Sequence, residues 1–147
     1  MNEIDVDRKV DEKIISFLKQ CSALTIATSV NNIPYCSNCF FAYEEKGNFL
    51  VFKSKITTAH IQNALKNKNV SGSILPDKLD PTKIQGIQFS GEFLEPKNEL
   101  LDSVKKTYYK KYPFALAFTG EMWAVELTSI KMTDNTLGFG KKIEWNK

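Results

Sequence analysis

Histidine is nearly absent from this chain. His60 is the only one in 147 residues, so a Ser-His-Asp arrangement could form only through it. The sequence holds no G-x-S-x-G segment and no phosphate loop of the GxxxxGK[ST] kind, which excludes two familiar routes to hydrolase and nucleotide chemistry. Gly138 and Gly140 lie in a GFG triplet without the spacing or the following helix of a dinucleotide fingerprint. Cysteine is also scarce. Cys21, Cys36 and Cys39 make an odd count, which does not suit a disulfide framework. Cys36 and Cys39 form a C-x-x-C, but in a strand-like segment residues three apart face opposite ways. No second ligand pair completes a zinc site, so burial as small apolar residues is the expectation and no metal is expected. No run approaches the ~20 apolar residues of a membrane span. The opening MNEIDVDRKVDEK has no signal-peptide apolar core, so a cytoplasmic protein away from membranes is expected. A net charge of +3 is too mild to argue for nucleic acid. If such a chain is an enzyme, its side chains offer little reactive chemistry, which points to a borrowed cofactor.

What is present is ordinary for one globular domain spanning 1–147: 42% apolar and 25% charged residues. Val10, Ile14, Phe17 and Leu18 recur at helical spacing, predicting a helix over about 7–20. SALTIATSV at 22–30 and IPYCSNCFFAY at 33–43 read as strands joined by an Asn31-Asn32 hairpin turn. EEKGN at 44–48 is a second turn, and the apolar NFLVF that follows from Asn48 reads as a strand covered on both faces. Ile61, Ala64 and Leu65 mark a helix after Thr57 or Thr58. VSGSI at 70–74, KIQGIQFSGEFLE at 83–95 and MWAVELTSIKMT at 122–133 complete the strands, and a further helix starts at Pro96. Short connections imply a mainly β, mostly antiparallel six-stranded barrel with flanking helices. Lys105, Lys106, Lys110 and Lys111 read as a solvated helix face.

The segment SKITTAHIQNAL at 54–65 carries the densest polar chemistry. A helix N-terminus leaves amides unpaired and bears partial positive charge. Ser54, Thr57 and Thr58 surround it and His60 sits in its first turn, which together make an anion cradle suited to a phosphate monoester. The plain alternative is a threonine that caps the helix and a histidine on the surface.

IQGIQFSGE at 84–92, IKMTDNTLGFGKKIEW at 130–145 and the strand–turn–helix order around Ser54 resemble the pyridoxamine 5'-phosphate oxidase-like FMN-binding split-barrel family. The second segment is similar to its YhbP-like branch. The resemblance implies an FMN-binding flavoprotein, an oxidoreductase, built as a homodimer with sites at the subunit interface. It implies that a phosphate of FMN sits at the 54–60 turn. There Thr58, Ala59 and His60 stand where the oxidases usually show serine, arginine and lysine. Lys53 and Lys55 could supply charge in their place. The strand from Cys36 to Phe40 corresponds to the one alongside the flavin ring, with Ser37 and Asn38 as polar contacts beside Cys39 and Phe40. A family glutamine on the ring falls at Gln85 or Gln88; only one of the two can face the site, and Gln88 joins the candidate set. Lys141 would stand beside the ring from the C-terminal segment. Tyr108 and Pro113 match the family's substrate-phosphate motif, but Tyr112 and Leu116 replace its arginine and serine. Pyridoxine or pyridoxamine phosphate is therefore not the expected substrate. A carrier of flavin without turnover, or a haem-binding split barrel, is the alternative.

Overall fold

The computed structural model describes residues 9–138 and 140–147. Six antiparallel strands close a ring. Strand β1 (Ala23–Val30) lies between β2 (Ile33–Glu44) and β4 (Asn69–Ile74), followed by β5 (Gln85–Leu94) and β6 (Glu121–Asp134). Strand β3 (Phe49–Ser54) pairs with both β2 and β6 and completes the circuit. The sequence-based architecture stands, with one addition: β7 (Lys142–Asn146) pairs with the far half of β6 outside the ring. Its five residues alternate too briefly to stand out in the sequence.

Local chemistry sets these elements. Asn31 and Asn32 take φ of 51° and 63°, the left-handed pair that a two-residue hairpin needs. Asp11 accepts a hydrogen bond from the Lys13 amide, so helix α1 (Glu12–Gln20) starts at Glu12, later than the spacing from Val10 predicts. Gly72 has no room for a side chain: a Cβ there would lie 2.0 Å from the Thr25 carbonyl oxygen and 2.4 Å from the Phe89 ring.

The main core fills the ring. Leu24, Phe41, Leu50, Phe52, Ile87 and Trp123 are buried there, with Phe93 stacked on Trp123 at 5.3 Å. Each such side chain contributes ~1.5–3 kcal/mol by leaving water. Helix α1 adds Ile14, Ile15, Phe17 and Leu18 to this core, and helix α2 (Ala59–Lys66) adds Ile61 and Ala64. A second core lies outside the ring. There helix α3 (Asn98–Lys111) and a 3-10 turn at Pro113–Ala117 cover Ala42, Val51, Met122 and Ala124. This explains why FLVF after Asn48 is apolar throughout: Leu50 and Phe52 face inward, while Val51 lies under α3.

Lys111 is not the solvated residue that the lysine cluster suggests. Its ammonium donates to the carbonyls of Cys21 and Phe41, and its burial lowers its pKa. Among the described residues no helix is long and apolar enough to cross a membrane.

Gly72→Ala should destabilise the fold by about 1–3 kcal/mol through overpacking. Denaturant unfolding of the variant checks this, and an unchanged midpoint would contradict the close strand approach.

Candidate functional site

Strand β2 is twelve residues long, but β3 pairs only with its Phe41–Glu44 portion. From Ile33 to Phe40 it pairs with β1 alone, and among the described residues no strand lies along its other edge. The Phe41 amide donates to Ser22 O on the β1 side at 2.9 Å. Alternation therefore turns the backbone groups of Cys36, Asn38 and Phe40 toward the open edge. Beside this edge β3 ends at Ser54, whose carbonyl accepts a hydrogen bond from Trp123 Nε1 at 2.9 Å, and the chain turns into α2.

That turn is tightly built. Thr58 is the N-cap residue of α2, yet its side chain makes no capping bond. Its hydroxyl donates instead to Lys55 O at 2.8 Å. The first intrahelical bond runs from the Gln62 amide to Thr58 O at 3.0 Å, so the amides of Ala59, His60 and Ile61 have no intrahelical acceptor. Thr57 and Lys55 are exposed beside them. Glu121 brings one negative charge to the same turn by accepting from the Ile56 amide at 2.9 Å.

His60 is buried, 8% exposed, and points inward. Its Nε2 lies 2.9 Å from Ser54 Oγ and 3.7 Å from Cys39 Sγ. The surface position in the plain alternative above is thereby overturned: Ile61 and Ala64 anchor α2 in the core and carry the second helical residue inward with them. Burial lowers the His60 pKa and pushes the Cys39 thiol up to about 11, the latter against a smaller lowering from Ser54. The imidazole is neutral at pH 7, and Cys39 is a protonated thiol.

The residues singled out in the sequence fall into groups. Cys39, Ser54 and His60 meet at the ring end near α2, with Thr57 and Thr58 on the rim above. Ser37 lies on the same inward side of β2 as Cys39, whereas Asn38 and Phe40 point outward. Asn38, Thr25, Ser73 and Gln88 stand in register across four strands, with Thr25 donating to Asn38 at 2.8 Å. Gln88 thus shares the outer face with Asn38, but three strand spacings put them roughly 14 Å apart. Gln85 is turned away and donates to Asp134 at 3.2 Å. Lys141 lies between β6 and β7, its carbonyl accepting from the Asp134 amide at 3.1 Å. Phe139 of the same segment lies outside the described residues.

One correction concerns charge. Lys53 does not serve the turn: its ammonium donates to Tyr109 OH, Ala115 O and Phe118 O at 2.9, 2.9 and 2.6 Å, using all three protons. Sequence reasoning missed this role. The signal was there in the shared outward parity of Val51 and Lys53, which places both under α3. Tyr112 is likewise committed, bonding Phe41 O at 2.7 Å and Ser22 O at 3.0 Å. A groove of about 580 Å³ runs beside Asn38 and Phe40, walled by Leu75, Leu79 and Asp77.

No family model matches the chain. A UPF0306 protein of Photorhabdus laumondii is 33% identical over 131 residues, covering 89% of this chain and 92% of the relative. The chain belongs to the UPF0306 family. Among solved structures, this UPF0306 fold is similar to a haem-binding protein from Mycobacterium smegmatis (TM-score 0.77, 15% identity, 92% of this chain). The chain spans only 57% of that protein's length. It is also similar to a pyridoxamine 5'-phosphate oxidase assigned by similarity in Listeria innocua (TM-score 0.63, 16% identity, 82% of this chain and 95% of that one). A FAD-binding protein from Mesorhizobium loti matches with TM-score 0.63 and 12% identity over 82% of this chain and 92% of its own. Identities this low speak for the fold alone, a closed ring of antiparallel strands with flanking helices that these proteins share.

Two outcomes test the cluster. Cys36 is exposed while Cys21 and Cys39 are buried, so one thiol should react rapidly with an aromatic disulfide in the native protein and the other two only on unfolding. Rapid labelling of Cys39 would contradict the geometry. Because burial lowers the His60 pKa below its ordinary 6.5, the unfolded chain takes up that proton first. Stability is then full above about pH 6.5 and falls as pH drops toward the folded value. His60→Gln should flatten that fall in denaturant titrations between pH 7 and 5.

Proposed function

We propose that this protein binds flavin mononucleotide, with the phosphate on the rim at Ser54–Ala59 and the ring along the open edge of β2 at Cys36–Phe40. One observation carries the reading: a strand edge that has no partner strand among the described residues lies next to a helix start whose N-cap side chain makes no capping bond. A flavin needs both features, donors for a phosphate and backbone groups for the polar rim of its ring. When bound, the flavin would supply electron transfer, and the chain would supply position and electrostatics. The motif at 130–145 further supports a place in the YhbP-like branch.

The reading includes an oxidoreductase working as a homodimer. Phe40 is 63% exposed and Ile33 70%, with Leu75, Leu79 and Phe114 also open to solvent. A second copy covering this apolar surface would enclose the groove, and Lys141 would then reach a site completed by its partner. The substrate is not a pyridoxine phosphate. Tyr112 stands at the arginine position with its hydroxyl bonded to backbone carbonyls, and Lys111 is tied to carbonyls next to it.

Haem is the second reading, favoured by the likeness to the mycobacterial haem-binding protein. Against it, the only histidine is buried on Ser54 and Cys39, so iron ligation through Nε2 would have to break both contacts.

Incubation with FMN followed by gel filtration should leave flavin absorption on the protein peak, at the mass of a dimer. Bleaching by NADH or NADPH separates an enzyme from a carrier. Thr58→Val combined with His60→Ala should weaken FMN binding at least about tenfold, or ~1.4 kcal/mol. A Soret band on haem titration, with no flavin uptake, would replace this reading with the second.

A further inference from the structure

The burial of His60 raises a question that the FMN reading leaves open, namely what an inward histidine does at a phosphate turn. The inference below rests on that reading. We propose that the His60 side chain never touches the ligand and acts in positioning, donating from Nε2–H to Ser54 Oγ so that the Ser54 hydroxyl proton is free for an anionic oxygen on the rim.

Two arrangements satisfy the 2.9 Å contact between Ser54 Oγ and His60 Nε2. In one, Ser54 donates to a bare Nε2 and turns only lone pairs toward the rim. Those lone pairs repel an anion. In the other, Nε2 carries the proton and donates to Ser54, whose own proton points elsewhere. The surroundings favour the second. Cys39 Sγ lies 3.7 Å from Nε2 and 4.0 Å from Ser54 Oγ, so a protonated Nε2 finds two acceptors, whereas at a bare Nε2 the Ser54 and Cys39 protons compete. Thr58 has already committed its hydroxyl proton to Lys55 O, and Lys53 has committed all of its protons to α3 and the turn after it. Ser54 is therefore the side-chain hydroxyl at the end of β3 whose donor capacity a neighbour can set. The same pairing explains how a turn without the usual lysine can still discriminate for a phosphate: the histidine contributes direction where a cation would contribute charge.

The test uses the full-length protein, with FMN, riboflavin (the same ring without phosphate) and inorganic phosphate as probes. Because the chain has a single histidine, a long-range 15N–1H correlation spectrum shows one imidazole. The expected spectrum has Nε2 protonated and Nδ1 bare, both free and with FMN. Ser54→Ala and His60→Ala should each weaken FMN about tenfold. Their combination should be no worse than either alone, as for groups acting in series. His60→Gln, which keeps a donor, should stay within roughly threefold of the parent. Riboflavin affinity should not change in any variant.

An imidazole protonated on Nδ1 in the FMN complex overturns the proposal, and so do additive losses in the double variant. Equal affinity for FMN and riboflavin overturns it too while leaving a flavin protein. Absence of any flavin binding, with a Ser54-dependent shift of the imidazole resonances on adding phosphate, retains the proposal and removes the FMN reading. No flavin binding and no phosphate response overturns both.

Discussion

The site depends on a mismatch in strand length. Strand β2 runs for twelve residues, while β3 accompanies it for only four, with β6 along the whole of β3's other edge. Closure of the ring through β6 fixes where β3 must stop. The first eight residues of β2 are then left with one partner strand, and the chain leaving Ser54 must turn at once into α2. An open edge and an uncapped helix start become neighbours for that reason alone. Unpaired backbone groups are costly when buried, so the edge must meet water, a partner or a ligand.

The outer core secures this arrangement. Helix α3 covers the part of β2 that β3 does accompany, and its C-terminal residues reach back to the carbonyls of Cys21, Ser22 and Phe41 through Lys111 and Tyr112. Lys53 ties the end of β3 to the turn after α3. Two cations, Lys53 and Lys111, are thereby used to join the two layers and are not free for an anionic substrate. Burial holds the Tyr112 phenol up to about 12, with Tyr108 adding to the effect, so its hydroxyl remains a donor across the physiological range.

Much of the fold was legible in the sequence. The Asn31-Asn32 turn, the two-sided apolar run after Asn48 and the alternation through Ile87, Phe89 and Phe93 each admit one structural meaning. Strand β7 escaped because its pairing with β6 is a long-range fact that five residues cannot announce. The site was legible in location and not in orientation. Periodicity placed His60 at the start of a helix, but whether it faced solvent depended on how Ile61 and Ala64 seat α2 in the core. Neighbouring residues on β2 were grouped as one contact set, although the pleat sends Ser37 and Cys39 inward and Asn38 and Phe40 outward. The commitments of Lys53, Lys111 and Tyr112 to distant carbonyls required the packing of α3, which local pattern does not contain.

The central claim is that the open edge of β2 and the start of α2 form one binding surface for a phosphorylated flavin. A crystal structure of the protein grown with excess FMN tests it most directly. The account predicts phosphate density against the amides of Ala59 and His60 and the Ser54 hydroxyl, with the ring beside the backbone of Cys36–Phe40. Flavin bound elsewhere, or a rim that stays free of phosphate at saturating FMN, would contradict it.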